Sequence, residues 1–339
     1  MIHGATSQRD TYTLIKMGMK RTLRLAEQEG LPKEKLQALL QYKDYEAKDK
    51  PKINWNDESA KVQLLTTLVE DARRIHEYIY QYPTASNELI DAVDLLLLVA
   101  EQDIEEKDGQ IVIAHGTCKD RTISITDPEI RHGHKTTSKK HDGYKGNILV
   151  GGTEHDIITA VDVTAANAAD SSALPALLKQ REENVGEQTE CLLGDTAYGG
   201  ANTRVSMETA EIILVAKVPP ASNKNGMYSK DVFNIDLEAR AITCPAGSVI
   251  NMNRDSGSFT FPKKTCASCE LREQCTSGKN GRTIVVHKEE KILQKARKEQ
   301  ETTEFKEKYR LRPRVERIIS NITAKEKPVI MGKRRLYFR

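Results

Sequence analysis

Two carboxylates sit where a metal ion and a phosphodiester could meet them. Asp195 lies in Cys191-Leu-Leu-Gly-Asp-Thr-Ala-Tyr198, directly after a short apolar run, and the ends of strands are where α/β sheets present reactive groups. An aspartate before threonine at that point could equally serve as a helix cap. Glu316 closes the pattern Tyr309-x2-Arg312-x3-Glu316, a spacing that lays all three side chains on one face of a helix. From residue 306 to 339 there are twelve Lys and Arg against three acids, so this end is suited to a polyanion. Cations there would hold phosphates while the acid holds a metal at the scissile bond. The competing reading is that Glu316 only neutralises Arg312 or Arg317.

A second constellation is made of thiols. Cys244, Cys266, Cys269 and Cys275 follow one another as C-x21-C-x2-C-x5-C, and four thiolates can close a tetrahedral Zn²⁺ site. The alternative is a set of unliganded thiols packed as small apolar groups. Cys118 and Cys191 stand apart and are expected in the core. The stretch from Arg131 to Lys145 carries His132, His134 and His141 among many lysines, including Lys135 and Lys145. So many cations favour phosphate contact over metal binding, although a hydrolase built on the three histidines is the other possibility.

The elements that must position these groups change in kind along the chain. Apolar residues at Ile15, Met19, Leu23 and Ala26 repeat at helical spacing until Gly30-Leu31-Pro32. A shorter helix is predicted over Lys33 to Tyr45. A long one capped by Asn56 or Asp57 runs through Ile79, and another starts at Ser86 or Asn87. Residues 1–107 thus form a helical region. Beyond Asp108-Gly109 the pattern turns to short Ile- and Val-rich runs, with strands predicted over Gln110–His115, Thr122–Thr126, Tyr144–Val150, Ile157–Thr164, Glu190–Leu193 and Ile212–Val218. A helix is expected near Ser171–Glu182. These make a mixed α/β segment over 108–220, followed by a cysteine-rich insert over 221–287 and basic helices over 288–339. In the last region a charged helix is expected from Lys288 to Lys308, and Pro313 opens another.

The 339 residues are 38% hydrophobic and 30% charged, a balance that excludes disordered and fibrous classes. The longest apolar run, near Val93 to Ala100, is far short of the roughly 20 residues that span a bilayer, and no secretory signal is visible. The expectation is a cytoplasmic, nucleoid-associated protein without a membrane partner, its cysteines reduced.

Five segments in order resemble the DDE transposases of bacterial insertion sequences. They are Ser124-Ile-Thr-Asp-Pro-Glu-Ile-Arg-His-Gly-His-Lys135, Asp142-Gly-Tyr-Lys145, Val163-Thr-Ala-Ala-Asn-Ala-Ala-Asp170, Gly194-Asp-Thr-Ala-Tyr198 and Arg312-Pro-Arg-Val-Glu-Arg317. The resemblance implies an RNase H-like core whose Asp, Asp and Glu hold two Mg²⁺ ions. Asp195 matches the second Asp and Glu316 the Glu, with Tyr309 and Arg312 as accompanying residues and Lys135 and Lys145 as phosphate contacts. It also implies double-stranded DNA as partner, namely transposon ends and target, and a homodimer in the full-length protein. Ile2 to Leu14 resembles the stretch that follows the family's first Asp. The expectation is therefore that the first strand and first ligand are missing, that both ends are clipped, and that strand cleavage is impaired. Asp127 is the one nearby substitute for the missing carboxylate. Relatives often carry Lys seven residues after the Glu, where this chain has Thr323. The alternative is a DNA-binding remnant that keeps the zinc module without catalysis.

Overall fold

The computed structural model describes residues 10–47, 50–116, 118–134, 140–151, 156–221, 226–252, 257–325 and 336–338. The helices are α1 (Thr11–Gln28), α2 (Lys33–Leu39), α3 (Glu58–Tyr80), α4 (Asn87–Glu101), α5 (Leu174–Val185), α6 (Ala201–Thr209), α7 (Lys263–Ala267), α8 (Arg272–Cys275), α9 (Glu290–Glu299), α10 (Thr303–Tyr309) and α11 (Pro313–Lys325). The strands are β1 (Ile104–Lys107), β2 (Gln110–Ile113), β3 (Arg131–His134), β4 (Lys140–Gly151), β5 (Ile157–Ala165), β6 (Cys191–Leu193), β7 (Ile213–Val215), β8 (Asn234–Asp236), β9 (Ala241–Thr243), β10 (Val249–Asn251), β11 (Ser258–Thr260), β12 (Thr283–Val285) and β13 (Leu336–Phe338). The fold is mixed α/β with several small sheets. It forms two compact units, one of Met1–Asn147, Asp162–Ala168 and Lys325–Arg339, the other of Ile148–Val161 and Ala169–Ala324.

In the first unit α1, α3 and α4 pack around one apolar core that includes Ile15, Met19, Leu65, Leu68, Ile75, Leu89 and Leu96. Each helix begins at a side-chain cap. Asp10 accepts from Thr13 N, Asp57 from Ser59 N and Ala60 N, and Ser86 from Leu89 N, which satisfies donors that the first turn leaves unpaired. β1 and β2 form a hairpin in which Lys107 faces Gln110. Asp108 and Gly109 between them both have positive φ, at 52° and 74°, the backbone that a two-residue hairpin turn demands. β4 pairs antiparallel with β3, parallel with β13, and with β5.

In the second unit β6 and β7 run parallel, Cys191 opposite Ile213, with α6 as the crossover. Leu174, Leu192 and Met207 are buried together beneath them. A small module follows, consisting of the antiparallel set β10-β9-β8 and the pair β11-β12. Its own core holds Phe233, Ile235, Ile242, Met252, Phe259, Phe261 and Ile284.

Three expectations are corrected. Thr122–Thr126 is not a strand, because its backbone groups are taken by side chains. Gln102 bonds both Thr122 N (2.9 Å) and Thr122 O (3.0 Å), Arg21 donates to Ile125 O (3.0 Å), and Ser124 Oγ accepts from Thr126 N and Asp127 N. Ile123 and Ile125 are buried all the same, so alternation alone does not make a ladder. α2 stops at Leu39 because the buried Asp71 carboxylate draws in Gln41 N (2.8 Å) and Tyr42 N (2.9 Å). The Lys288–Lys308 helix is broken: the Thr302 side chain accepts from Phe305 N and starts α10 afresh.

Candidate functional site

The loop carrying Asp195 is shaped by glycines. Gly194 N, just past the end of β6, donates to Val215 O at 3.2 Å, and a Cβ on Gly194 would lie 2.9 Å from Tyr198 Cβ. At Gly199 a Cβ would stand 1.8 Å from Lys217 O, so only glycine lets this loop lie against the chain leaving β7. Arg204 on α6 locks the same junction. It is buried, its Nε donates to Gly199 O at 3.0 Å, and a second nitrogen donates to Ala216 O. Burial pulls its pKa down, and Glu299 on α9 opposes that.

Asp195 is exposed, and its Oδ1 caps the turn that follows by accepting from Ala197 N at 2.8 Å. The capping role read from the sequence is therefore present.

α10 packs on β7. Two cations approach the Tyr309 ring, with Lys217 Nζ 5.2 Å and the Arg312 guanidinium 5.8 Å from its centroid. Phe305 stacks on it at 5.5 Å. At the other edge of this sheet burial pushes the Cys191 thiol up while Lys308 pulls it down. Glu316, in the first turn of α11, is exposed and pairs with Arg312 Nη2 at 2.9 Å. An acid at that place also meets the positive end of the helix dipole. Arg314, two residues before Glu316, pairs with Asp156 at 2.6 Å.

Contacts link Lys217, Tyr309, Arg312 and Glu316, and Asp195 lies in the same unit. Sequence reasoning missed Lys217. Its only local sign is a cation directly after the Ile-Leu-Val-Ala run, and the ring it faces is 92 positions further on.

The other expected residues lie elsewhere. Asp127 belongs to the first unit and accepts from Tyr144 Oη at 2.7 Å. Lys145 is buried and donates to Ala168 O at 2.6 Å. His132 Nδ1 meets Asp142 Oδ1 at 2.6 Å across β3 and β4. Lys135 lies outside the described residues. Cys118 and Cys191 are exposed, which corrects their expected place in the core: Cys191 is the outward residue at the start of β6.

Cys244, Cys266, Cys269 and Cys275 line one cavity in the small module. Burial pushes the Cys275 thiol up, Arg282 lowers it, and the other three cysteines raise it further. As placed, no group of three or more His, Cys, Asp or Glu among the described residues is arranged to hold a metal ion.

Residues 243–334 match the family model of a transposase DDE domain. The matched segment begins one residue before Cys244 and contains all four clustered cysteines, Tyr309, Arg312 and Glu316. Asp195 precedes it. The match supports a DDE transposase, and with it a divalent metal such as Mg²⁺ and DNA as the general kinds of cofactor and partner. No curated protein and no solved structure matches the chain. Among the described residues no helix is long and apolar enough to cross a membrane.

Proposed function

We propose that the chain acts in metal-dependent cleavage and transfer of DNA strands, with Asp195 and Glu316 as two of the carboxylates at the reacting phosphodiester and an RNase H-like core behind them. The observation that carries this reading is the site in the second unit. There an exposed strand-end aspartate and the glutamate of a basic helix share one compact unit with Tyr309, Arg312 and Lys217.

The donor set fits Mg²⁺, which prefers hard oxygen ligands and keeps several waters. Asp195 would hold it through the oxygen not used in capping, and Glu316 through the edge not occupied by Arg312. Bound there, the metal would supply Lewis-acid stabilisation of charge on the phosphoryl oxygens. The protein's own work is to place the strand: Arg312 and Lys217, steadied by the Tyr309 ring, would hold phosphates on either side of the carboxylates. The resemblance calls for three carboxylates, and Asp195 and Glu316 are the two proposed here. Duplex DNA, including transposon ends and target, is the proposed substrate, and a homodimer the proposed assembly.

The test is Mg²⁺-dependent nicking of duplex DNA together with Mn²⁺ binding followed by electron paramagnetic resonance. Loss of a metal carboxylate removes a few kcal/mol of charge stabilisation, or about 100-fold in rate at roughly 1.4 kcal/mol per tenfold. Asp195→Ala and Glu316→Ala should each cause a loss of that order and weaken Mn²⁺ binding. Nicking and Mn²⁺ binding indifferent to both substitutions would overturn the assignment. Salt-dependent DNA binding with neither nicking nor Mn²⁺ binding would favour a DNA-binding remnant without catalysis.

A further inference from the structure

The cysteine cavity holds a feature that the strand-transfer reading does not use. Two guanidinium groups line it beside the four thiols, those of Arg272 and Arg282. Arg282 donates from Nη1 to Cys275 O at 3.0 Å and from Nη2 to Tyr228 O at 2.7 Å, and its backbone N points at Cys266 Sγ at 3.4 Å. Arg272 donates from Nη2 to Gly278 O at 3.3 Å. Yet Arg282 Nε and Arg272 Nη1 are buried with no hydrogen-bond partner. Leaving a buried donor on a cation unpaired is costly, from about 1 to 3 kcal/mol upward. Two such donors belong to arginines that line one cavity with the four thiols, and a negative charge beside them would satisfy them.

The backbone around the cavity is set for thiol approach. Cys244 N donates to Ser248 O and Gly247 N to Cys244 O, both at 2.9 Å, and Gly247 takes φ of 81°. The chain therefore folds back tightly just after the cysteine. Cys269 N donates to Cys266 O at 3.4 Å, which closes the second turn. Gly281 sits against the cavity with φ of 105°, where a Cβ would lie 2.2 Å from Phe261 O and 3.5 Å from Cys266 Sγ. The free space is about 30 Å³, room for an ion or a water molecule and too little for a polynuclear cluster.

We propose that Cys244, Cys266, Cys269 and Cys275 bind a single structural Zn²⁺ ion as a tetrathiolate, and that Arg272 and Arg282 neutralise it. Four thiolates around a divalent ion carry a net charge of minus two, and two guanidinium groups balance it. The unpaired nitrogens then donate to ligand sulfurs, as outer partners of metal ligands commonly do. Tetrahedral sulfur ligation with every position filled suits a structural rather than a catalytic ion. Zinc–sulfur bonds of roughly 2.3 Å require the four thiols to draw closer than they are placed, by a change of side-chain rotamer. The ion would join β9, α7 and α8, none longer than five residues, in a module whose own core is small. This proposal does not depend on the strand-transfer reading.

The full chain, produced in zinc-replete medium, should contain one equivalent of zinc by elemental analysis. Exchange for Co²⁺ should give the intense thiolate-to-metal charge-transfer band and the ligand-field bands of a tetrahedral site. Cys269→Ser and Cys275→Ser should lose the metal. Arg282→Gln keeps every ligand and should weaken zinc about 10–100-fold in chelator competition. Because a cysteine variant could fail to fold, the Co²⁺ spectrum of the unaltered chain decides independently. A chain with far less than one equivalent, no tetrahedral Co²⁺ spectrum and four thiols that react equally fast with and without Zn²⁺ would overturn the site. An unchanged affinity in Arg282→Gln would overturn the role of the arginines.

Discussion

Two adjacent glycines should respond very differently to the same substitution, one with a clear loss of stability and one with little change, which tests whether the Asp195 loop is positioned as described. A methyl group on Gly199 would lie 1.8 Å from Lys217 O, whereas carbon and oxygen not directly bonded rest at about 3.3 Å or more. Gly199→Ala must therefore drive the loop and the chain after β7 apart by roughly 1.5 Å, against Arg204, which bonds both sides of the junction. Forcing a methyl into packed backbone costs about 1–3 kcal/mol. At roughly 2–4 °C per kcal/mol for a unit of this size, a cost near 2 kcal/mol lowers the melting temperature by about 4–8 °C. Gly200 has φ of −69° and nothing within 4 Å of its would-be Cβ. At Gly200→Ala the gain from a stiffer unfolded chain and the loss of a favourable cap residue are each under about 1 kcal/mol and opposed. The assay is thermal unfolding by circular dichroism on both variants, with Mn²⁺ binding measured alongside. Equal melting temperatures for the two variants would refute the close approach. A destabilised Gly199→Ala with unaltered Mn²⁺ binding would separate the loop from the metal site.

The remaining expectations follow from charge. Glu290 is buried, and although burial alone would raise its pKa, Lys230 at 2.6 Å, Arg297 at 3.0 Å and His287 N hold it below the ordinary value. A depressed folded pKa gives stability that is complete above the unfolded value near 4.3 and is lost as pH falls through the folded one. Glu290→Gln should cost roughly 2–3 kcal/mol at neutral pH and flatten the acid limb of the stability curve, read by urea unfolding at several pH values; an acid limb of unchanged steepness would argue against the ion pairs. Lys217→Ala should weaken duplex binding at low salt and reduce the slope of log affinity against log salt by about one. A slope equal to that of the unaltered chain would remove Lys217 from the DNA path.

What the sequence by itself determined is mostly local. Helix starts at Asn56 or Asp57 and at Ser86 or Asn87, the helix stop at Gly30, the change of pattern at Asp108-Gly109 and Pro313 at the head of α11 all depend on near neighbours in the chain, so residue type and spacing suffice to within a residue. The ordered motifs did as much for the transposase reading, and the matched domain over 243–334 supports it. Tertiary structure decided what distant groups compete for. The Gln102 side chain turned an alternating apolar segment away from strand, and Asp71 cut short a helix that its own residues favour. Lys217 became part of the candidate site only because α10 packs on β7. The cysteines were legible as a set, but the buried arginine nitrogens without partners beside them are a property of packing. No pattern of residue types records which donor is left without a partner once the chain is folded.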